Sequence, residues 1–145
     1  MQRRFLLVAR TAIATAMLVL VAPVAVFAGG AEPLRIEFKR GAYSATISES
    51  VRGDEEAEYV LGAKQGQRLT IKLTSVPDKS SAFEFFSEDD TGHPHDTQLS
   101  YSGVLPMTGD YFITVKRSAG AKGTSRYRLA VTCVDRMLTY LGRVS

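Results

Sequence analysis

Residues of a type able to do chemistry are few in this chain, and their spacing is unpromising. The two histidines, His93 and His95, sit in the run Glu88-Asp89-Asp90-Thr91-Gly92-His93-Pro94-His95-Asp96. Imidazoles and carboxylates in one loop offer nitrogen and oxygen ligands for a divalent ion. Pro94 restricts the approach of the two rings. The spacing also fits neither a helix-borne histidine pair nor a calcium loop with alternating oxygens. A solvated turn is therefore expected, with no metal or cofactor. Ser102-Gly103 lacks the context of a strained nucleophile elbow. Asp54-Glu55-Glu56 follows Gly53 at a turn, where solvated charges are expected rather than the paired carboxylates of a glycosidase. No catalytic residue is assigned, and the chain is read as a non-enzyme.

Cys133 is the single cysteine, so no internal disulfide is available. It alternates with Tyr127, Leu129 and Val131, which places its thiol on their apolar face as a structural group rather than a nucleophile.

Two segments suit binding better than catalysis. Leu105-Pro106-Met107-Thr108-Gly109-Asp110-Tyr111 is a tight connection into an apolar strand, and Tyr111 shares parity with Ile113 and Val115. The stretch from Lys116-Arg117 to Arg126 is a flexible basic loop at a strand end. Loops held by a rigid scaffold are where recognition commonly resides.

The elements that must hold these loops are strands. Apolar residues recur with period two from Leu34 onward, most plainly at Leu69/Ile71/Leu73, Leu99/Tyr101/Gly103/Leu105, Tyr111/Ile113/Val115 and Tyr127 to Cys133. Shorter candidates cover 35–38, 45–51, 58–63 and 82–86. Turn chemistry separates them at 52–54, 64–67, 89–96, 106–110 and 118–125. About eight short one-sided strands imply an all-β fold, a single antiparallel β-sandwich of jelly-roll type. Met137, Leu138, Leu141 and Val144 have helical spacing, so the tail 135–145 is expected to be a short helix or frayed.

Residues 1–28 read as a secretory signal peptide: Arg3 and Arg4, an apolar stretch, then Val26-Phe27-Ala28 before Gly29-Gly30. The expectation is a periplasmic or secreted domain over 29–134, with no stable membrane insertion after cleavage. The whole chain of 145 residues carries a formal charge of +3. Removal of the leader takes away Arg3, Arg4 and Arg10 and no acidic residue, which leaves a neutral domain. Neutrality without a basic stripe removes the electrostatic term that phosphates reward, so nucleic acid is excluded as a partner.

A family resemblance enters at Ile36-Glu37-Phe38-Lys39-Arg40-Gly41 with Ser44-Ala45, then Val51-Arg52-Gly53, Tyr59 to Leu61 and Ala63-Lys64-Gln65-Gly66-Gln67. With Leu105-Pro106 and Thr108-Gly109-Asp110-Tyr111, these residues resemble the pre-peptidase C-terminal type of β-sandwich. Within that group, a leader plus one domain is most similar to the periplasmic inhibitors of g-type lysozyme. The resemblance implies a lysozyme partner and a role in protecting the cell wall. Related inhibitors enter the lysozyme cleft with a Ser-Gly-x-Tyr motif, matched here by Thr108, Gly109, Asp110 and Tyr111, with Thr in place of Ser. In such an inhibitor Lys116, Arg117, Lys122 or Arg126 is expected to pair with cleft carboxylates, and Asp110 to stabilise its own turn. The alternative is a glycan- or peptidoglycan-binding envelope module, with Tyr43 or Phe112 stacking on sugars.

Overall fold

The computed structural model describes residues 32–90, 92 and 95–136. The leader, His93, Pro94 and the tail beyond Arg136 lie outside the described residues. Eight strands form: β1 (Leu34–Arg35), β2 (Ser44–Arg52), β3 (Glu56–Ala63), β4 (Arg68–Val76), β5 (Ser81–Ser87), β6 (Ser100–Val104), β7 (Gly109–Arg117) and β8 (Thr124–Val134). One turn of 3-10 helix, Glu88–Asp90, follows β5.

The strands build two four-stranded sheets, ordered β1-β3-β7-β5 and β2-β8-β4-β6. The expected sandwich is present. One pairing departs from a purely antiparallel reading, because β1 runs parallel to β3. β1 is also shorter than the expected 35–38. Only Leu34 and Arg35 lie on the ladder, with Ile36 donating its N–H to the Val60 carbonyl at 2.8 Å.

Every connection in the chain crosses from one sheet to the other. All strand partners are therefore distant in sequence, and the connections collect at the two ends of the sandwich. One end receives the segments 36–43, 64–67 and 105–108. The other receives 53–55, 77–80 and 118–123. The segment 88–99 returns along an edge, where Phe83 and Gln98 exchange hydrogen bonds of 2.9 and 2.8 Å.

Alternation buries one face of each sheet. Leu69, Ile71, Phe83, Ile113, Val115, Leu129 and Val131 are fully enclosed between the layers. Burying such side chains is the main favourable term, about 1.5–3 kcal/mol each. Cys133 is buried on the same face, as the period implies, and burial pushes its thiol pKa up. Its Sγ donates to Gln67 Oε1 at 3.4 Å.

One polar bond spans the core. The hydroxyls of Tyr59 on β3 and Tyr127 on β8 lie 2.5 Å apart, both side chains being almost wholly enclosed. A phenol brought into an apolar interior must find a partner or lose its hydration without compensation. Each tyrosine satisfies the other, one from each sheet. Burial, and then the bond to Tyr59, pushes the Tyr127 pKa far above the ordinary phenol range. Burial raises Tyr59 as well, partly offset by the same bond.

The outer faces differ in charge, and here the expectation of no basic stripe is corrected. Outward positions of the β2-β8-β4-β6 sheet hold Arg52, Arg68, Lys72, Arg126 and Arg128 among serines and threonines, with no carboxylate on those strand positions. The other sheet presents Glu56, Glu58, Glu84 and Asp110 against Arg35 and Lys116. Net charge sums over both faces and conceals this segregation.

Two outcomes follow for the tyrosine pair. Tyr127→Phe leaves the Tyr59 hydroxyl enclosed without its partner and lowers the unfolding free energy by about 1–3 kcal/mol. Tyr59→Phe/Tyr127→Phe together costs less than the sum of the single changes, as urea unfolding measures. Both phenols titrate higher in the folded state, so the stability they contribute is complete below the unfolded phenol pKa of about 10. It is lost as pH rises beyond that value, and denaturation midpoints followed from neutral to strongly alkaline pH will fall only there.

Candidate functional site

The end of the sandwich at the start of β7 is built around a turn, residues 105–108, whose conformation is fixed from three directions. Leu105 is buried, and its backbone is clamped to the neighbouring turn: its N–H donates to the Gln67 carbonyl at 2.8 Å, and its carbonyl accepts from Gly66 N–H at 2.9 Å. Tyr111 closes the turn from within. Its ring is buried and lies nearly parallel to Phe85, with centroids 5.7 Å apart. Its hydroxyl donates to the Met107 carbonyl at 2.8 Å and accepts from Met107 N–H at 3.3 Å. The third tie is Thr108, whose Oγ1 accepts from Gln65 N–H at 2.9 Å.

Thr108 and Pro106 remain exposed on this frame. A threonine hydroxyl has one proton to donate and two lone pairs. The bond from Gln65 uses one lone pair, which leaves the proton and the second lone pair for a ligand. Tyr111 does not reach the surface. Its place is inside, bracing the backbone that carries Thr108.

Asp110 points along the outer face of its sheet. Its carboxylate takes two hydrogen bonds from the Arg35 guanidinium, at 3.0 and 3.3 Å. The guanidinium passes over Gly62, which lies opposite Asp110 on β3. A Cβ there would stand 3.4 Å from Arg35 Nη1 and 3.5 Å from Asp110 Oδ1, ordinary contact distances. The pair anchors the two-residue strand β1 to the start of β7. Nothing in local sequence pattern joins positions 35 and 110, and sequence reasoning missed the contact.

Gln67 is a second residue that sequence reasoning passed over. Its Oε1 accepts from Lys64 N–H at 2.8 Å and from the Cys133 thiol, while its Nε2 donates to Asp135 Oδ1 at 2.9 Å. One side chain thus joins the 64–67 turn to the end of β8. Tyr43 stands at this same end, half-exposed, with its carbonyl accepting from Cys133 N–H at 2.9 Å.

The structure does not bring Lys116 and Arg117 to this surface. They lie at the far end of β7, about 20 Å from Asp110 at the usual strand rise, and both are engaged. Lys116 forms an ion pair with Glu84. Arg117 donates from Nε to the Gly53 carbonyl at 2.8 Å and from Nη1 to the Gly123 carbonyl at 3.0 Å, tying two turns together.

Phe112, named above as a sugar-stacking candidate, faces outward but is half-buried. It continues a row of rings: Phe112 and Phe86 have centroids 5.5 Å apart, and Phe86 and His95 stack at 4.6 Å. His95 also bonds through Nε2 to the Asp90 carbonyl at 3.1 Å. Among the described residues, no three of His, Cys, Asp and Glu gather into a metal-holding group.

Known proteins were compared with the chain at the level of sequence and of structure. No family model and no curated protein matches the sequence. Among solved structures, a periplasmic inhibitor of g-type lysozyme from Aeromonas hydrophila (PliG) is similar over 70% of this chain and 95% of its own, with a TM-score of 0.61 and 26% identity. Its counterpart from Salmonella Typhimurium covers 70% and 97%, with a TM-score of 0.55 and 17% identity. The pre-peptidase C-terminal domain of a Bacillus anthracis collagenase covers 70% and 95%, at 0.51 and 17%, and shares the fold. The resemblance carried by the sequence motifs and the likeness in structure fall on the same group.

The bracing of the turn is testable by itself. Tyr111→Phe keeps the buried ring but removes both bonds to Met107, so the unfolding free energy falls by about 1 kcal/mol. Amide exchange will quicken at Met107 while the strands stay protected, as hydrogen-exchange NMR will show.

Proposed function

We propose that this protein is an exported inhibitor of lysozyme, with g-type lysozyme as its target, and that it blocks the glycosidase cleft with the 105–108 turn. The observation that carries this reading is the exposed Thr108 hydroxyl, mounted on a turn whose backbone is clamped by Leu105, Gln65 and Tyr111. Support comes from the structural likeness, which extends over nearly the whole length of the Aeromonas inhibitor.

A lysozyme cleft presents a carboxylic acid of raised pKa that protonates the leaving sugar oxygen. The Thr108 hydroxyl meets such a group as donor or acceptor in the place of that oxygen. Pre-ordering matters because every rotor frozen on binding subtracts from affinity. Here the turn's order is already provided by the core. Gly109 lets the cleft wall approach the backbone closely, and Asp110 is neutralised by Arg35, so its charge is turned away from the carboxylates of the enzyme. An interface of about 1,600 Å² needs more than one turn. Tyr43 and the 64–67 turn stand at the same end and extend the contact. Lys116 and Arg117 keep structural tasks in this reading.

The second reading, a glycan-binding module, has the ring row of Phe112, Phe86 and His95 in its favour, since sugars stack on aromatic faces. It predicts binding to peptidoglycan fragments with no lysozyme present.

The test is lysis of cell walls by a g-type lysozyme, titrated with the protein purified from the compartment to which it is exported, beside a c-type control. Stoichiometric loss of g-type lysis alone is expected. Thr108→Ala will weaken inhibition about tenfold, the worth of one good hydrogen bond, and Arg117→Ala will leave it unchanged. Lysis undiminished by a folded sample sinks the proposal, and fragment binding then decides for the glycan module.

A further inference from the structure

The outer face of the β2-β8-β4-β6 sheet has no task in the reading above. Its outward positions form a flat field of serines and threonines set with Arg52, Arg68, Lys72, Arg126 and Arg128. Among the described residues, none of these five cations forms an ion pair. Arg52 donates to Thr124 Oγ1 at 3.0 Å, a neutral partner. The carboxylate of Glu55 accepts from the Arg52 backbone N–H at 3.0 Å without an ion pair to its guanidinium, so Arg68, Lys72, Arg126 and Arg128 carry the uncompensated charge. The other carboxylates near these strands in sequence are turned elsewhere. Glu49 has the inward parity of β2, and Asp135 is held beyond β8 by Gln67. Five like charges on one sheet face repel one another, and their gathering has no stabilising purpose within the fold.

Two further observations define the partner. Among the described residues four large apolar side chains are exposed, and two of them, Val76 on β4 and Val104 on the edge strand β6, stand on this face. Most of its side chains are short, and the hollow between Thr74, Val76, Arg126 and Arg128, about 310 Å³, is open to solvent rather than enclosed. An open cationic field with apolar points at its rim suits a planar anionic surface. On the opposite sheet Asp110 and Glu84 are paired with Arg35 and Lys116, and Glu56 and Glu58 leave that face with an acidic excess, so the molecule is polarised to lie one way up.

We propose that this face docks the protein on an anionic lipid bilayer, with phosphate headgroups taken between Arg126, Arg128 and Lys72 and the hydroxyls beside them. The contact is peripheral and electrostatic. Each basic side chain near such a surface contributes about a fivefold gain in binding, and salt screens it over about a Debye length. Docking leaves the 105–108 turn free, because that turn is at the end of the sandwich rather than on its face. The inhibitor reading and this one therefore stand or fall separately.

The experiment is co-sedimentation of the purified, exported protein with vesicles of phosphatidylglycerol or of phosphatidylcholine. Binding to phosphatidylglycerol alone is expected at about 50 mM salt, with at least a tenfold loss by about 300 mM. Arg126→Ser/Arg128→Ser will weaken it about 25-fold while leaving the thermal midpoint and lysozyme inhibition unchanged. Arg68→Ser/Lys72→Ser serves as a second variant should the first fail to fold. Equal binding to both vesicles, or binding that neither variant reduces, overturns the proposal. Retention on heparin without vesicle binding also overturns it, in favour of a soluble polyanion.

Discussion

A phenol hydroxyl enclosed at the end of the core is the constraint on which this molecule is arranged. Tyr111 stands near the start of β7, an inner strand of the β1-β3-β7-β5 sheet, with its ring against Phe85, and its oxygen must be satisfied where the ring runs out. The turn at Met107 supplies both partners that oxygen needs. The apolar energy that holds β7 in place is thereby made to hold the turn in place. Thr108 inherits its position from the interior of the protein rather than from contacts of its own. Tyr59 and Tyr127 obey the same rule one layer deeper, where each hydroxyl has only the other to turn to. With a single cysteine and no disulfide to join the layers, that bond and the interlocked side chains around it are what keep the two sheets in register.

How much of this the sequence discloses depends on whether the information is local. Parity is local. The alternation of Leu69, Ile71 and Leu73, or of Tyr127, Leu129, Val131 and Cys133, needs only neighbouring residues, and it assigns the inward face correctly in each strand. Strand pairing is not local here. Consecutive strands in proteins commonly lie side by side, but each connection between the described strands changes sheet, so none of them pairs with its neighbour along the chain. The parallel pairing of β1 and its two-residue length were invisible for the same reason. They are held by Arg35 meeting Asp110 across 75 positions.

The candidate site was legible as a segment and illegible as a surface. Residues 105–111 read as a tight turn into an apolar strand, and they are one. What could not be read is which other loops share its end of the sandwich. Lys116 and Arg117 are near Tyr111 in sequence, yet a strand carries its two ends apart at about 3.3 Å per residue. Tyr43 and Gln65, distant in sequence, arrive beside the turn because their segments cross between the sheets at the same end. Gln67 shows the same effect in one side chain, which touches a turn, a thiol and the end of β8 at once.

Charge gives the last instance of the difference between a sum and an arrangement. Counting the chain without its leader yields neutrality, and neutrality argued against any partner rich in phosphate. A sandwich with one-sided strands sends every outward side chain of a sheet to a single face, so period two sorts charges as effectively as it sorts apolar groups. In β4 and β8 the outward positions carry arginine, lysine and threonine, whereas in β3 and β5 they carry glutamate. The two populations stand on opposite faces of the two-layer sandwich, and carboxylates in the turns, such as Asp54, Glu55, Asp78 and Asp89, complete the balance of the total. A polar face held so far from its counter-charge contributes nothing to the stability of the fold, since exposed pairs would contribute little even if formed. Its value lies in orientation. A molecule whose charges are so separated is turned when it comes close to a charged surface, and the end that carries Thr108 is then left at the side.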